Sequence, residues 1–254
     1  MTHNASRFPG SVALVTGGTS GIGFAIARRL LDEGARVVIT GRDEHRLAAA
    51  AAELGERALP VRADVAELGD LNALTERIQA RFGRLDVLVA NAGIAAFRPV
   101  TEVTPTEFDT FVATNLRGVY FTVQQTIPLL AAGGAVVVNA SWTRLRGLAG
   151  GSLYSATKAA AHNLVQTLGA ELAPRGIRVN AVSPGYIATP MYHANVTPAA
   201  AAVVAAEVPL GRPGTADEVA AAVAFLASSD AAYITGQDLV IDGGLVAAAP
   251  RALG

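Results

Sequence analysis

The sequence predicts a doubly wound, parallel α/β sheet of seven strands with helices on both faces, and three observations support this prediction. Short apolar runs rich in β-branched residues alternate with longer stretches of helical periodicity. A glycine-rich turn follows the first apolar run. The 254 residues contain no linker, repeat or shift in composition. Parallel strands joined by right-handed helical crossovers are the economical solution to such an alternation, so we expect one domain over residues 1–254.

Seven segments are short, apolar and bounded by polar residues or glycine, as buried strands are. In chain order they are Ser11–Thr16, Arg36–Thr40, Ala58–Asp64, Leu85–Ala90, Ala135–Ala140, Ile177–Ser183 and Asp238–Asp242. The intervening segments space their apolar residues as helices do, and the predicted helices are Gly21–Glu33, Asp43–Leu54, Leu68–Phe82, Thr104–Leu130, Ser152–Ala173 and Thr215–Ser228.

One segment, Pro184–Arg212, breaks the alternation. It contains four prolines and one alanine-rich helical piece near Pro198–Glu207. Long irregular insertions in compact domains are usually functional, so we expect a substrate lid over about residues 185–212.

The composition argues against several classes of protein. The formal net charge is −1 without long charged runs, so neither nucleic acid nor an anionic membrane surface is expected as a partner. There are no cysteines, which excludes disulfides and thiol chemistry. The N-terminus has no signal pattern and no apolar run approaches the roughly 18 residues of a membrane span, so we expect a soluble cytoplasmic protein.

The histidines are too scattered to form a metal site or a serine-hydrolase triad. They are His3, His45, His162 and His193, and none lies beside a nucleophile-elbow pattern. A metal site needs clustered ligands, and a triad needs a histidine and an acid behind the nucleophile. We therefore expect no metal.

The turn Thr16–Gly23 joins the first strand to the first helix. Its glycines permit a tight bend and a close approach of phosphate, and the helix N-terminus offers N–H groups to a pyrophosphate. The G-x-x-x-G-x-G spacing therefore predicts a dinucleotide site that includes Gly17, Thr19, Ser20, Gly21, Ile22 and Gly23.

The second predicted strand is followed by Gly41 and Arg42 rather than by an acid. An acid at this point binds the ribose hydroxyls of NAD, whereas a guanidinium can pair with a 2′-phosphate. We therefore expect NADP(H), with NAD(H) as the alternative. Asp43 is expected either to cap the next helix or to pair with Arg42. Asp64, at the end of the third strand, is either an acceptor for the adenine amino group or a simple turn residue.

Tyr154 and Lys158 are four residues apart, and Ser141 precedes Tyr154 by 13 residues. A tyrosine and a lysine with this spacing share one face of a helix. An ammonium near a phenol favours the phenolate and lowers its pKa from about 10. Such a tyrosine could exchange a proton with an alcohol or ketone near neutral pH.

Together these motifs resemble the short-chain dehydrogenase/reductase family, in its single-domain branch of about 250 residues. The resemblance extends from Gly10 to Leu245. It rests on Thr16–Gly23, Asp64, Asn91–Gly93, Asn115, Ser141, Tyr154, Lys158, Pro184, Gly185, Thr189, Ile234–Asp238 and Asp242–Gly244. It implies a Rossmann fold and an oxidoreductase that moves hydride between NADP(H) and a secondary alcohol or ketone.

The resemblance also implies the role of each catalytic residue. Tyr154 would be the general acid and base, and Ser141 would hold the substrate oxygen beside it. Lys158 would lower the pKa of Tyr154 and bind the nicotinamide ribose. Asn115 would connect Lys158 through a water to bulk solvent, although a polar residue at this point could instead simply bend the helix.

Further cofactor contacts follow from the same resemblance. They are Val65, Asn91, Ala92, Gly93, Pro184, Gly185, Ile187 and Thr189, together with Tyr154 and Lys158. Ala90 replaces a second asparagine of many relatives. Ser20 stands where one NADP-using group has a basic residue, so the expectation of NADP(H) depends on Arg42 alone.

The expected substrate pocket is apolar with aromatic walls, which suits a neutral, hydrophobic alcohol or ketone. Its residues are Ala95, Ala96, Phe97, Trp142, Leu145, Leu148, Tyr186, Met191, Tyr192 and Val196. Trp142 belongs either to this pocket or to the core.

Two other functions remain open. The first is reduction of a 3-oxoacyl group on acyl carrier protein, for which Arg98, Arg144 and Arg146 could supply a basic docking patch. The second is a non-enzymatic cofactor sensor, which would be free to lose the tyrosine and lysine.

The family resemblance further implies a homotetramer. Its interfaces would be formed by Thr104–Leu130, by Ser152–Ala173 and by the last strand. The small residues Ala156, Ala159, Ala160 and Ala161 would permit close helix packing, and the tail Leu245–Leu253 would complete the interface.

Overall fold

The computed structural model describes residues 6–249, and it forms a single parallel sheet in the order β3-β2-β1-β4-β5-β6-β7. The strands are β1 (Val12–Val15), β2 (Arg36–Gly41), β3 (Ala58–Arg62), β4 (Leu85–Ala90), β5 (Leu130–Asn139), β6 (Arg178–Pro184) and β7 (Asp238–Ile241). The strand order reverses between β1 and β4, and a cleft opens at the carboxyl ends of strands at such a switch point. The predicted fold class is confirmed. His3 and the last part of the tail Leu245–Leu253 lie outside the described residues.

Helices cover both faces of the sheet. They are α1 (Gly21–Asp32), α2 (Glu44–Leu54), α3 (Leu68–Phe82), α4 (Pro105–Val112), α5 (Gly118–Thr126), α6 (Ser152–Leu172), α7 (Pro190–Asn195), α8 (Pro198–Glu207) and α9 (Ala216–Ala227). Ala13 and Val15 pack with α1 and α9, whereas Val12 and Leu14 pack with α3, α5 and α6. Alternation along the strand therefore sends neighbouring side chains into two separate cores.

The prediction of one uninterrupted helix over Thr104–Leu130 is wrong. A π-helical turn at Ala113–Arg117 separates α4 from α5, and a short turn at Ile127–Leu129 ends the helical region. Pro128 cannot continue an α-helix, because it lacks an N–H and its ring clashes with the preceding turn. The chain therefore enters β5 at Leu130 rather than at the predicted Ala135, with an irregular register before Ala135.

The irregular segment after β6 forms two helices, α7 and α8, and the helical piece predicted at Pro198–Glu207 is present as α8. Thr189 and Thr197 cap these helices, and each is followed by a proline in the first turn. This pairing is favourable because a proline at that position loses no helical hydrogen bond. Ile187 forms an isolated bridge with Gly214, which closes the base of the segment.

Candidate active site

A cavity of about 430 Å³ lies at the carboxyl ends of the strands. It is lined by the turn after β1, by the ends of β2 to β6, and by α6 and α7. All the predicted cofactor-binding residues line it: Gly17, Thr19, Ser20, Gly21, Ile22, Gly23, Arg42, Asp64, Val65, Asn91, Ala92, Gly93, Tyr154, Lys158, Pro184, Gly185, Ile187 and Thr189. Residues separated by most of the chain therefore meet in one cleft.

The glycine turn is shaped to receive a group at its backbone. Gly17 has a φ of +65°, and a Cβ atom there would lie 3.0 Å from the Cα of Ala92. A Cβ at Gly23 would lie 2.2 Å from the Gly17 carbonyl oxygen, and one at Gly41 would lie 2.5 Å from Thr19. Ser20 begins α1 without a side-chain cap, so the first-turn N–H groups are available to an anion. These features fit the pyrophosphate of a dinucleotide.

Asn91 fastens the glycine turn to the neighbouring strands. Its amide nitrogen donates to the carbonyl oxygens of Thr16 at 2.9 Å and Gly17 at 3.2 Å. Its side-chain oxygen accepts a hydrogen bond from Asn139 at 2.8 Å. The asparagine therefore connects β1, β4 and β5 below the cleft. Asn139 was not identified from the sequence, because nothing local distinguishes it from any other strand-end asparagine.

Arg42 lies at the rim of the cleft with 62% of its side chain exposed, and its Nη1 is 3.5 Å from Oδ2 of Asp64. Asp43 does not take part, because it accepts from the Arg46 N–H and caps α2. The cap alternative for Asp43 is therefore confirmed. Asp64 is the partner of Arg42, a relationship the sequence did not suggest. Arg46 also lines the cleft and was likewise not predicted.

Asn115 is fully buried in the π-helical turn. Its Oδ1 accepts from the Ile94 N–H at 2.9 Å, and its Nδ2 donates to the Ile94 carbonyl at 3.0 Å and to Thr157 Oγ1 at 3.2 Å. Asn115 does not itself line the cavity. A Cβ at Gly93 would lie 3.3 Å from Asn115 Oδ1 and 3.4 Å from Lys158 Nζ, so both polar groups border the same small space.

Lys158 is buried, and its Nζ donates to the Asn139 carbonyl oxygen at 2.7 Å. Removal from water penalises the ammonium and lowers the pKa of Lys158 to about 8. The Nζ is 5.9 Å from the centre of the Tyr154 ring, which it faces from one side.

Tyr154 faces the cleft, and its pKa departs from the expectation. Desolvation raises the pKa of its phenol above the ordinary value, and a hydrogen bond with Ser141 opposes this only partly. The expected lowering of this pKa is not observed, because desolvation outweighs the opposing hydrogen bond. The Lys158 ammonium meanwhile donates to the Asn139 carbonyl oxygen. A raised pKa favours the protonated phenol.

Ser141 begins a short turn, Trp142–Arg144, after β5. Its Oγ accepts from the Thr143 N–H at 3.3 Å and lies 3.0 Å from Thr143 Oγ1. Thr143 is buried and does not line the cavity, and the sequence gave no reason to single it out.

The end of the cleft that is expected to receive the substrate has aromatic walls. It is lined by Ala95, Phe97, Trp142, Tyr186, Met191, Tyr192 and Val196. Phe97 meets Tyr154 edge-on with ring centres 5.6 Å apart, and Trp142 lies 5.2 Å from Tyr186.

Three predicted pocket residues do not line the cavity: Ala96, Leu145 and Leu148. Leu148 instead packs in a small cluster with Trp142, Val208 and Leu245. Trp142 therefore fits both alternatives, since it lines the cleft and also packs in this cluster.

The three arginines of the expected docking patch are each paired with a carboxylate. Arg98 lies 2.9 Å from Glu107, Arg146 lies 3.2 Å from Glu207, and Arg144 binds the buried Asp238. These ion pairs neutralise the charge that an acidic carrier protein would require.

Within residues 6–249, no helix is long and apolar enough to cross a membrane. The same part of the chain contains no group of three or more histidine or acidic residues placed to hold a metal ion.

Comparison with known proteins identifies the relatives of this chain. A family model described as enoyl-(acyl carrier protein) reductase matches residues 17–246. A cis-4-hydroxycyclohexanecarboxylate dehydrogenase from Sinomonas cyclohexanicum is 42% identical, over 94% of this chain and 98% of its own. A Burkholderia cenocepacia short chain dehydrogenase, solved in complex with NADP, is 38% identical with a TM-score of 0.89, over 94% of this chain and 99% of its own. A Brucella melitensis 3-ketoacyl-(acyl-carrier-protein) reductase, solved with NADH, is 36% identical with a TM-score of 0.88, over the same shares of 94% and 99%.

Proposed function

The chain belongs to the short-chain dehydrogenase/reductase family of oxidoreductases, and from this premise we propose that it interconverts an apolar secondary alcohol and its ketone with NADP(H). The observation that carries the proposal is the convergence of Ser141, Tyr154 and Lys158 on one end of a cleft whose other end is a glycine cradle. A nicotinamide dinucleotide, when bound, supplies or accepts the hydride.

The chain's own residues handle the proton. In the reductive direction, Tyr154 donates its phenolic proton to the substrate oxygen as negative charge develops there. Ser141 donates a second hydrogen bond to the same oxygen, and two donors aimed at a developing charge lower the barrier. The Lys158 ammonium stabilises the resulting phenolate, and Asn115 holds the loop at Ile94 that borders this space.

The preference for NADP(H) rests on Arg42. Its exposed guanidinium follows β2, whose last residue is Gly41 rather than an acid that would bind the ribose hydroxyls. The guanidinium can form charge-assisted hydrogen bonds with a 2′-phosphate. NAD(H) is the second candidate, because Asp64 neutralises part of this charge and the Brucella melitensis neighbour was solved with NADH.

The aromatic substrate end supports a neutral, apolar substrate. The Sinomonas cyclohexanicum relative is named for a ring alcohol, which such walls could enclose. The second candidate reaction is reduction of a 3-oxoacyl group on acyl carrier protein, as the Brucella melitensis neighbour's name describes. The carboxylate partners of Arg98, Arg144 and Arg146 disfavour it. A cofactor sensor is disfavoured by the retention of Tyr154 and Lys158.

The test is the loss of reduced-nicotinamide absorbance when the protein is mixed with NADPH or NADH and a panel of ketones. Faster oxidation of NADPH with apolar ketones supports the proposal. Preference for NADH keeps the reaction and overturns the role of Arg42. Turnover of a 3-oxoacyl thioester alone would favour the second reaction, and cofactor binding without any turnover would favour the sensor.

Tyr154→Phe is the variant that tests the mechanism. General acid–base catalysis contributes about a hundredfold to ten-thousandfold, so kcat should fall by that amount while cofactor binding persists. Normal turnover by this variant would overturn the role of Tyr154.

We also propose a homotetramer, formed through the helices α4 to α6 and through β7. Phe108 and Tyr120 leave 52% and 43% of their surfaces exposed on α4 and α5, where an apolar contact would cover them. Sedimentation that shows a monomer would overturn this assembly.

A further inference from the structure

Two groups of one residue, Thr143, meet the oxygen of Ser141. The Thr143 N–H lies 3.3 Å from Ser141 Oγ, and the Thr143 hydroxyl oxygen lies 3.0 Å from it. Only 4% of each residue's surface is exposed. Within residues 6–249, the Thr143 hydroxyl has no other hydrogen-bond partner, so its orientation is decided by Ser141 alone.

The direction of the hydrogen bond between Ser141 and Thr143 decides whether the Ser141 proton is free for the substrate. A serine hydroxyl has one proton to donate and two lone pairs to accept with. The backbone N–H of Thr143 can only donate, and it occupies one lone pair of Ser141. If Ser141 donated to the Thr143 hydroxyl, its single proton would be unavailable to the substrate oxygen. If Thr143 donates instead, both lone pairs of Ser141 are filled and its proton is left for the cleft.

The turn that carries Thr143 is fixed on both sides. Trp142 packs against Val208 and Leu245, and Arg144 binds the buried carboxylate of Asp238. The backbone at Thr143 therefore cannot move away from Ser141 without disturbing these contacts. A hydroxyl that accepts hydrogen bonds is also a stronger donor, because hydrogen bonds in a chain polarise one another.

We propose that Thr143 is a positioning residue that directs the proton of Ser141 toward the reacting oxygen. This inference rests on the proposed function. Thr143 does not line the cavity, so it acts only through Ser141.

The test compares Thr143→Val, which keeps the shape and removes the hydroxyl, with Thr143→Ser, which restores a hydroxyl. Thr143→Val loses one neutral hydrogen bond of ordinary strength, so its kcat should be about threefold to tenfold below that of the wild type. Thr143→Ser should recover most of this loss. KM for the cofactor should not change. Thr122→Val is the matched control, since the Thr122 hydroxyl is buried without a partner in the described residues. It should behave as the wild type.

A double-mutant cycle shows whether the effect passes through Ser141. In a Ser141→Ala background, Thr143→Val should cause no further loss of kcat, because the group it directs is gone. Equal losses in both backgrounds would overturn the inference, as would a Thr143→Val enzyme with wild-type kcat.

A second readout separates this inference from the proposed function. Ser141 lowers the pKa of Tyr154, so the ultraviolet titration of that phenol, taken as the difference from Tyr154→Phe, should move to higher pH in Thr143→Val. Thr143→Ser should restore it. An unmoved titration contradicts the role of Thr143 even in a protein that reduces no ketone, whereas absent turnover with a shifted titration contradicts the proposed function alone.

Discussion

The Asn115 side chain pairs with both backbone groups of Ile94, donating to its carbonyl at 3.0 Å and accepting from its N–H at 2.9 Å. This is the pattern by which one strand pairs with another, here made by a side chain. It fastens the loop after β4 to the π-helical turn, beside Gly93 and Lys158.

Removing this brace should destabilise the protein. Asn115→Ala leaves the Ile94 N–H and carbonyl without their partner, and a buried unsatisfied group costs about 1–3 kcal/mol. The free energy of denaturant unfolding should fall by this order, and cofactor affinity should fall with it, because Ile94 lines the cleft. Asn72→Ala, on the exposed side of α3, is the control and should change neither quantity. An Asn115→Ala protein of full stability would contradict the bracing role.

The ion pair between Arg42 and Asp64 should tune cofactor choice in both directions. Arg42→Asp removes the guanidinium and repels a 2′-phosphate, so the ratio of kcat/KM for NADPH over NADH should fall by about tenfold or more. Asp64→Asn releases the guanidinium from its partner, so the same ratio should rise. Arg46→Asp is the control, because it makes the same change of charge at a neighbouring arginine of the rim. It shows how much of the change in the ratio comes from charge alone. If Arg42→Asp leaves the ratio unchanged, another group recognises the phosphate.

Lys158 should give the stability a specific dependence on pH. Its pKa is about 8 in the folded protein against an ordinary 10.5, so the unfolded chain binds more protons between these values and stability rises with pH there. Below about pH 8, the cost of burying the charge is present in full. Lys158→Met removes this ionisation. The unfolding free energy of the variant minus that of the wild type should therefore be largest below pH 8 and should decrease toward pH 10.5. A difference that is constant with pH would show that Lys158 does not titrate in this window.

Tyr192 places a hydroxyl where it has no hydrogen-bond partner among the described residues, although its side chain lines the substrate end of the cleft. Tyr192→Phe removes this hydroxyl without creating an unpaired group, so thermal stability should be equal to or above that of the wild type. A fall in stability would reveal a partner for the hydroxyl. Tyr233→Phe serves as the control, because Tyr233 is fully exposed.

The sequence predicted the sheet well because its signals are local. Runs such as Leu85–Ala90 fill one strand each, and their observed bounds agree. The predicted residues of the glycine turn also line the cleft, since glycine spacing depends on neighbouring positions only. The π-helical turn was missed. Its residue Asn115 contacts Ile94, 21 positions away, and local spacing does not reveal such a contact.

The ion pairs and hydrogen bonds of the site were harder to predict than the residues that line it. The pairing of Arg42 with Asp64 and the direction of the Lys158 ammonium toward Asn139 depend on which strand ends become neighbours. The spacing of four residues correctly predicted that Lys158 lies beside Tyr154. It could not reveal that the Lys158 ammonium donates to the Asn139 carbonyl oxygen. The double role of Trp142 depends likewise on Leu245, far along the chain.

The ion pair of Arg144 with Asp238 has a consequence for biosynthesis. Asp238 is the first residue of β7, whereas Arg144 lies in the turn that begins at Ser141. A nascent chain that has not yet exposed Asp238 from the ribosome must leave this guanidinium without its buried counter-charge. We therefore expect the turn after Ser141 to remain unfolded during translation until β7 emerges from the ribosome. The geometry around Ser141 would then form late, when the last strand joins the sheet.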